Sequence, residues 1–179
     1  REDVMVFGET LKREQTPYPQ LSPDGRYLIA LVQDLSGASP YSQLYLFDRE
    51  DSQRGFVPIG RGVEAFISAA VIHRDNLHMQ TNHESPLAKL ITIELANIGA
   101  SDFTTVIPEG SFPLKSWIAV GKYLFVETIE NVSSRLRVYD LDGKFVKQIE
   151  LPGTGSINSL SAEPESEELL ISFSSFLKP

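Results

Sequence analysis

Leu44, Leu90 and Leu136 stand 46 residues apart, and so do the acidic residues that close the same three segments, Asp48, Glu94 and Asp140. The segments read QLYLFD, KLITIE and RLRVYD. Upstream of each lies another apolar run: YLIALVQ at 27–33, NLHMQTN at 76–82 and YLFVETI at 123–129. Downstream lies a shorter one: GFVPIG at 55–60, FTTVIP at 103–108 and KFVKQIEL at 144–151. A fourth run leads each unit: YPQLS at 18–22, EAFISAAVI at 64–72 and LKSWIAV at 114–120. Their lengths and their aromatic and β-branched content predict strands. Four short strands cannot bury both faces of a sheet alone, so each unit must stack on its neighbours. A four-stranded unit of this period is the pattern of a β-propeller. A β-sandwich also uses many short strands, but it does not predict a fixed repeat.

The expected fold class is therefore all-β: a partial propeller of four-stranded antiparallel blades, three complete and one partial at each end. SPDGR at 22–26 and DLDGK at 140–144 carry Asp-Gly, which suits tight hairpin turns. No stretch holds a helical period, and prolines recur along the chain. The whole chain is one domain in this partition. Residues 1–15, with Asp3–Gly8 as a strand, end a preceding blade; 16–61, 62–108 and 111–152 are complete blades; 155–179 supply the first two strands of a last one. A chain that opens on Arg1 and stops soon after the strand ELLISFSSF (168–176) reads as an interrupted longer polypeptide.

Composition narrows the function. With 16 Lys and Arg against 24 Asp and Glu, the formal charge is −8. That balance argues against a phosphate-backbone binder, so no nucleic-acid partner is expected. No apolar run reaches the roughly 20 residues that span a bilayer, so no membrane partner is expected either. There are no cysteines, which excludes thiolate metal sites, Cys nucleophiles and disulfides, and fits a reducing cytosol.

TNHESPLAKLITIEL (81–95), SSRLRVYDLDGKFVKQIELPG (133–153) and ISFSSFLKP (171–179) resemble, in order, the propeller domain of the prolyl oligopeptidase family of serine peptidases. LSPDGRYLIALV (21–32) fits as well. The resemblance implies a seven-bladed propeller joined to an α/β-hydrolase domain with a Ser-Asp-His triad that cleaves short peptides after proline. It implies that the propeller restricts access to small peptides and lends residues to the substrate cavity. This chain matches the later blades. No Gly-x-Ser-x-Gly elbow occurs, so no triad member is carried onto any residue here.

Other candidates are weak. His73, His78 and His83 are five apart, and an odd spacing puts strand neighbours on opposite faces. A metal site is not expected: His78 suits an interblade or channel position, and His73 and His83 suit loops. DLDG (140–143) lacks the remaining ligands of a calcium loop and reads as a turn. PESEE (164–168) reads as a solvated acidic turn, and Trp117 as core. No cofactor is expected. In the family the counterpart of QDLSGASPYSQ (33–43) faces the cavity with a basic residue and a thiol. This chain has neither there, and Gln33 and Asp34 are the nearest cavity-facing candidates.

The expectation is a non-catalytic, substrate-gating segment of such a peptidase. Its partners would be the hydrolase domain of the same parent chain and short peptide substrates. Exposed strand edges add an expectation of self-association. The rival reading is a stand-alone propeller scaffold for protein–protein interaction.

Overall fold

A computed structural model describes residues 6–37, 40–59, 65–98, 103–163 and 166–175. The chain divides into two compact units, Arg1–Glu84 with Ile91–Thr104 and Ser85–Leu90 with Thr105–Pro179.

Four sheets follow one another. The first has strands β1 (Gln15–Leu21), β2 (Tyr27–Asp34), β3 (Tyr41–Asp48) and β4 (Val57–Ile59), in that order across the sheet. The second runs β5 (Ile67–His73), β6 (Asn76–Thr81), β7 (Lys89–Glu94) and β8 (Thr104–Ile107). The third runs β9 (Leu114–Val120), β10 (Tyr123–Glu130), β11 (Ser133–Asp140) and β12 (Phe145–Ile149). The fourth pairs β13 (Ser156–Ser161) with β14 (Leu170–Ser174), antiparallel. The strand-to-strand meander within each sheet is that of a propeller blade. Helix among the described residues is confined to 3₁₀ turns at Ser52–Arg54 and Leu95–Asn97.

The repeat explains the core. Leu44, Leu90 and Leu136 are 1%, 0% and 0% exposed, so the repeated leucine is a fully buried side chain of each third strand. Burying such a leucine stabilises by about 1.5–3 kcal/mol. In the first unit Ile29, Leu31, Leu44, Leu46 and Ile59 of one sheet pack with Ala70, Ile72, Leu77, Met79 and Ile93 of the next. Phe7 lies against Tyr45 and Phe56, with ring centroids 5.2 and 4.5 Å away.

The repeated acids shape the turns that follow. Asp48 Oδ1 accepts from the Glu50 amide at 2.9 Å. Asp140 Oδ1 accepts from Asp142 and Lys144 amides at 3.1 and 2.8 Å. Glu94, one methylene longer, instead accepts from the Asn97 side chain at 2.9 Å. Short carboxylates bonding their own backbone two residues on are standard turn chemistry. DLDG is thus a turn, with Gly143 at φ +83°. A Cβ added at Gly143 would run into the Val106 carbonyl, so this corner lies directly on the backbone of β8.

Several boundaries move. β1 begins three residues before the expected YPQLS run and takes in Pro17, which is tolerated because β1 is an edge strand. GFVPIG shrinks to Val57–Ile59 because Gly55, at φ +65°, caps the 3₁₀ turn instead of extending. Gln33 and Asp34 are the last residues of β2 and Tyr41–Gln43 open β3, so the supposed 33–43 loop is much shorter. His73 ends strand β5 instead of lying in a loop, whereas His83 is in a turn. Of the strand expected at Asp3–Gly8, Val6–Gly8 are described and form no strand: Gly8, at φ +103°, leads into a turn instead. Its first residues, part of PESEE and the end of ELLISFSSF lie outside the described residues.

Candidate functional site

The end of the first sheet that carries Gln33 and Asp34 is a hydrogen-bonded corner. Strand β2 stops because Asp34 turns on itself: its Oδ1 accepts from the Ser36 amide at 3.1 Å and the Ser36 hydroxyl at 2.6 Å. The Ser36 hydroxyl, then the Ser36 amide, hold the Asp34 carboxyl below its usual range. Gln33 is committed elsewhere, its Nε2 donating to the Ile67 carbonyl at 3.1 Å. The structure thus places the two candidates side by side with different duties. Asp34 offers a preorganised anion that can receive a cation or an N–H donor; Gln33 ties β2 to β5.

Ser42, which sequence reasoning passed over, is the centre of that tie. Its amide donates to the Ala65 carbonyl at 3.0 Å. Its Oγ accepts from the Ile67 amide at 3.1 Å and donates to the Ile67 carbonyl at 3.2 Å. From the other side, Asn82 Oδ1 accepts from the Phe66 amide and Thr81 Oγ1 donates to the Phe66 carbonyl, at 2.9 and 3.1 Å. Residues 65–67 are gripped through their backbone from β3 on one side and the end of β6 on the other, while Ala65 is buried and Ile67 packs against the apolar cluster. Thr81 and Asn82, the start of the TNHESPL stretch, therefore hold the entry to β5.

The second unit repeats the grip two repeats later. Ser134 donates its amide to the Gly155 carbonyl and accepts from the Ile157 amide at Oγ, both at 2.9 Å. Ser42 and Ser134 are 92 residues apart, a signal in the numbering itself. Around Ser134, however, lies an ionic cluster. Glu127, 1% exposed, takes Lys115 Nζ at 3.0 Å and Ser134 Oγ at 2.5 Å on Oε1, and Ser116 Oγ at 2.5 Å on Oε2. Lys115 Nζ also donates to the Ile157 carbonyl at 2.7 Å.

The remaining candidates resolve separately. His78 is buried on β6, on the face opposite Leu77 and Met79 by strand alternation, and burial, with His73 adding to it, pushes its pKa down to about 4. No metal-binding group of His, Cys, Asp and Glu occurs among the described residues. Trp117 is buried on β9, as expected of core. At the opposite end of the first unit a cleft of about 630 Å³ is lined by Arg26, Asp48, Arg54, Asp75 and Glu94, among others. Its charges meet one another: Arg26 Nη2 lies 2.7 Å from Asp48 and Arg26 Nη1 3.1 Å from Glu50. No helix among the described residues is long and apolar enough to cross a membrane.

Comparison with known proteins places this architecture. The prolyl endopeptidase of Elizabethkingia meningoseptica is 28% identical over 179 residues, which is 100% of this chain and 24% of that protein. That of Dictyostelium discoideum is 33% identical over 108 residues, 55% of this chain and 14% of its own. A solved prolyl endopeptidase structure, studied for the role of inter-domain dynamics in catalysis and specificity, superposes with a TM-score of 0.80 at 27% identity. The superposition covers 93% of this chain and 24% of that one. Apo prolyl oligopeptidase B of Galerina marginata gives a TM-score of 0.80 at 20% identity over 98% of this chain and 25% of its own, a likeness of fold. The chain spans about a quarter of the length of the relatives that match all of it. The model of the prolyl oligopeptidase N-terminal β-propeller domain matches residues 1–179, and the chain belongs to that family.

Proposed function

We propose that the chain is the non-catalytic, substrate-gating propeller segment of a serine peptidase that cleaves short peptides after proline, working beside a hydrolase domain of the same polypeptide. The observation that carries this reading is the family match along the whole chain, set against a sequence with no nucleophile elbow. The blade partition 16–61, 62–108 and 111–152, with 1–15 and 155–179 as parts of flanking blades, belongs to the same proposal. Gln33 and Asp34 are the residues it assigns to the cavity side. Gln33 acts by holding β5 in place, and Asp34 acts as an ordered carboxylate facing the peptide. The self-association expected from sequence gains no support from the relatives and is not part of it.

The test is a peptidase assay with a proline-containing chromogenic peptide, run on the purified 179-residue chain and on the full parent. Turnover by the parent and none by the chain is the expected pattern. Robust turnover by the chain alone would overturn the non-catalytic assignment. In the parent, Asp34→Asn should change KM for a peptide with a free amino terminus more than for an acetylated one. Equal effects on both would remove Asp34 from the cavity.

A further inference from the structure

The two serine grips hold the same kind of backbone but are backed by different material. Leu31 lies opposite Leu44, and Glu127 lies opposite Leu136, in the strand pairings of their sheets. Since Leu44 and Leu136 are two repeats apart, Glu127 occupies the position that Leu31 fills in the first unit. Behind Ser42 the seam is closed by the apolar cluster of Leu31, Leu44, Ala70, Leu77 and their neighbours. Behind Ser134 it is closed by a carboxylate.

That carboxylate governs most of what crosses to β13. Ser134 Oγ, which receives the Ile157 amide, is oriented by donating to Glu127. Lys115, which holds the Ile157 carbonyl, is held in turn by Glu127. Of these polar bonds only the one from the Ser134 amide to Gly155 stands apart from the carboxylate. Apolar support is thin: among the described residues of β13 and β14, Ile157 is the one buried hydrophobic side chain. The Lys115 side chain is 42% exposed, so water reaches one end of the cluster directly.

Parting an apolar seam exposes surface at about 25 cal/mol per Å² with nothing returned. Parting a hydrogen-bonded one gives each group back to water, so the net loss is only about 0.5–1.5 kcal/mol per neutral bond and about 1.5–3 kcal/mol for the one from the Lys115 ammonium. A buried carboxylate gains hydration on opening, which lowers the cost further. We propose that Lys115 and Glu127 form a releasable latch, along which β13–β14 parts from β9–β11 ahead of any opening of the apolar seam in the first unit. Because the latch reaches β13 only through main-chain atoms of Ile157, its hydrogen bonds do not depend on the side chains that β13 carries. It stands whether or not the parent is a peptidase.

Native-state hydrogen exchange followed by NMR on the 179-residue chain tests this without any mutation. The Ile157 and Ser134 amides should show protection about tenfold or more below that of Ile67 and Ser42, through an opening that depends little on added denaturant. Raising the salt to about 1 M should speed exchange at Ile157 and leave Ile67 unchanged, because the pair is open to ions at Lys115. Lys115→Met should do the same in low salt. Protection at Ile157 equal to or above that at Ile67 would overturn the proposal. A salt-insensitive Ile157 would overturn the ionic latch even if Lys115→Met failed to fold.

Discussion

Ser42 and Ser134 perform one task in two settings. Each seats the first residues of the following sheet by their backbone, and each sits beside a repeated leucine that is fully buried. Yet Leu31 backs the first seat and Glu127 the second. The difference separates what the repeat must keep from what it can exchange. The leucine is kept in all three repeats, whereas the serine seats the next sheet only in the first and third, Ala88 standing in its place in the second. The residue on the second strand only has to be satisfied, by methyl groups in one unit and by an ammonium and two hydroxyls in the other. A buried carboxylate is admissible because Lys115, Ser116 and Ser134 meet both its oxygens.

The sharpest way to break the comparison is Leu31→Glu. It plants the carboxylate of the second unit in the first without its partners, and an uncompensated buried charge costs about 3–5 kcal/mol. Denaturant unfolding should show the first unit lost or nearly so. Full retention of stability would mean that the two seams are interchangeable.

Acid gives the first unit a weakness of its own. His78 titrates near 4 in the folded chain and near 6.5 when unfolded, so between those values the unfolded chain binds the extra proton. Stability should fall by about 3 kcal/mol as pH drops from 6.5 to 4 and then level off for this group. The Asp48 carboxyl, held down chiefly by Arg26, withdraws its contribution only as pH falls below the ordinary carboxylate range. Equilibrium melts across pH should show the two windows apart, and His78→Gln should erase the upper one.

Truncating the two serines compares the seats directly. Ser134→Ala strips one hydrogen bond from buried Glu127 and the acceptor from the Ile157 amide, a loss of about 2–3 kcal/mol. Ser42→Ala also takes the acceptor from the Ile67 amide but strips no buried charge, and the Ile67 carbonyl still receives Gln33, so it should lose about 1 kcal/mol. Equal losses would remove the carboxylate from the account. The smallest effect is a gain. Val132 is 91% exposed at φ +64° in the turn between β10 and β11, so Val132→Gly should stabilise by about 1 kcal/mol in thermal melts.

The fold was readable because its determinants repeat. Leu44, Leu90 and Leu136 announced the strand at the centre of each blade, and Asp48 and Asp140 the turns after it. Strand ends were less readable where backbone chemistry overrode side-chain pattern, as at Pro17 on an edge strand and Gly55 beyond a 3₁₀ turn. The candidate site was only half legible. Gln33 and Asp34 could be named from position, but nothing local told that Gln33 would spend its amide on Ile67, some 34 residues away in sequence. The Glu127 cluster escaped for the same reason. Its members come from β9, β10, β11 and β13, and a glutamate in YLFVETI looks like any solvent-facing residue until its neighbours are known.

Gly143 has a consequence at the outer corner of the third sheet. Its Cα rests so near the Val106 carbonyl that no side chain can be interposed. The spacing between β8 and that corner is therefore gauged by main chain against main chain. Within the second unit, mutations on the sheet faces can change side-chain filling, but they cannot reset the spacing at this corner, where main chain stops against main chain.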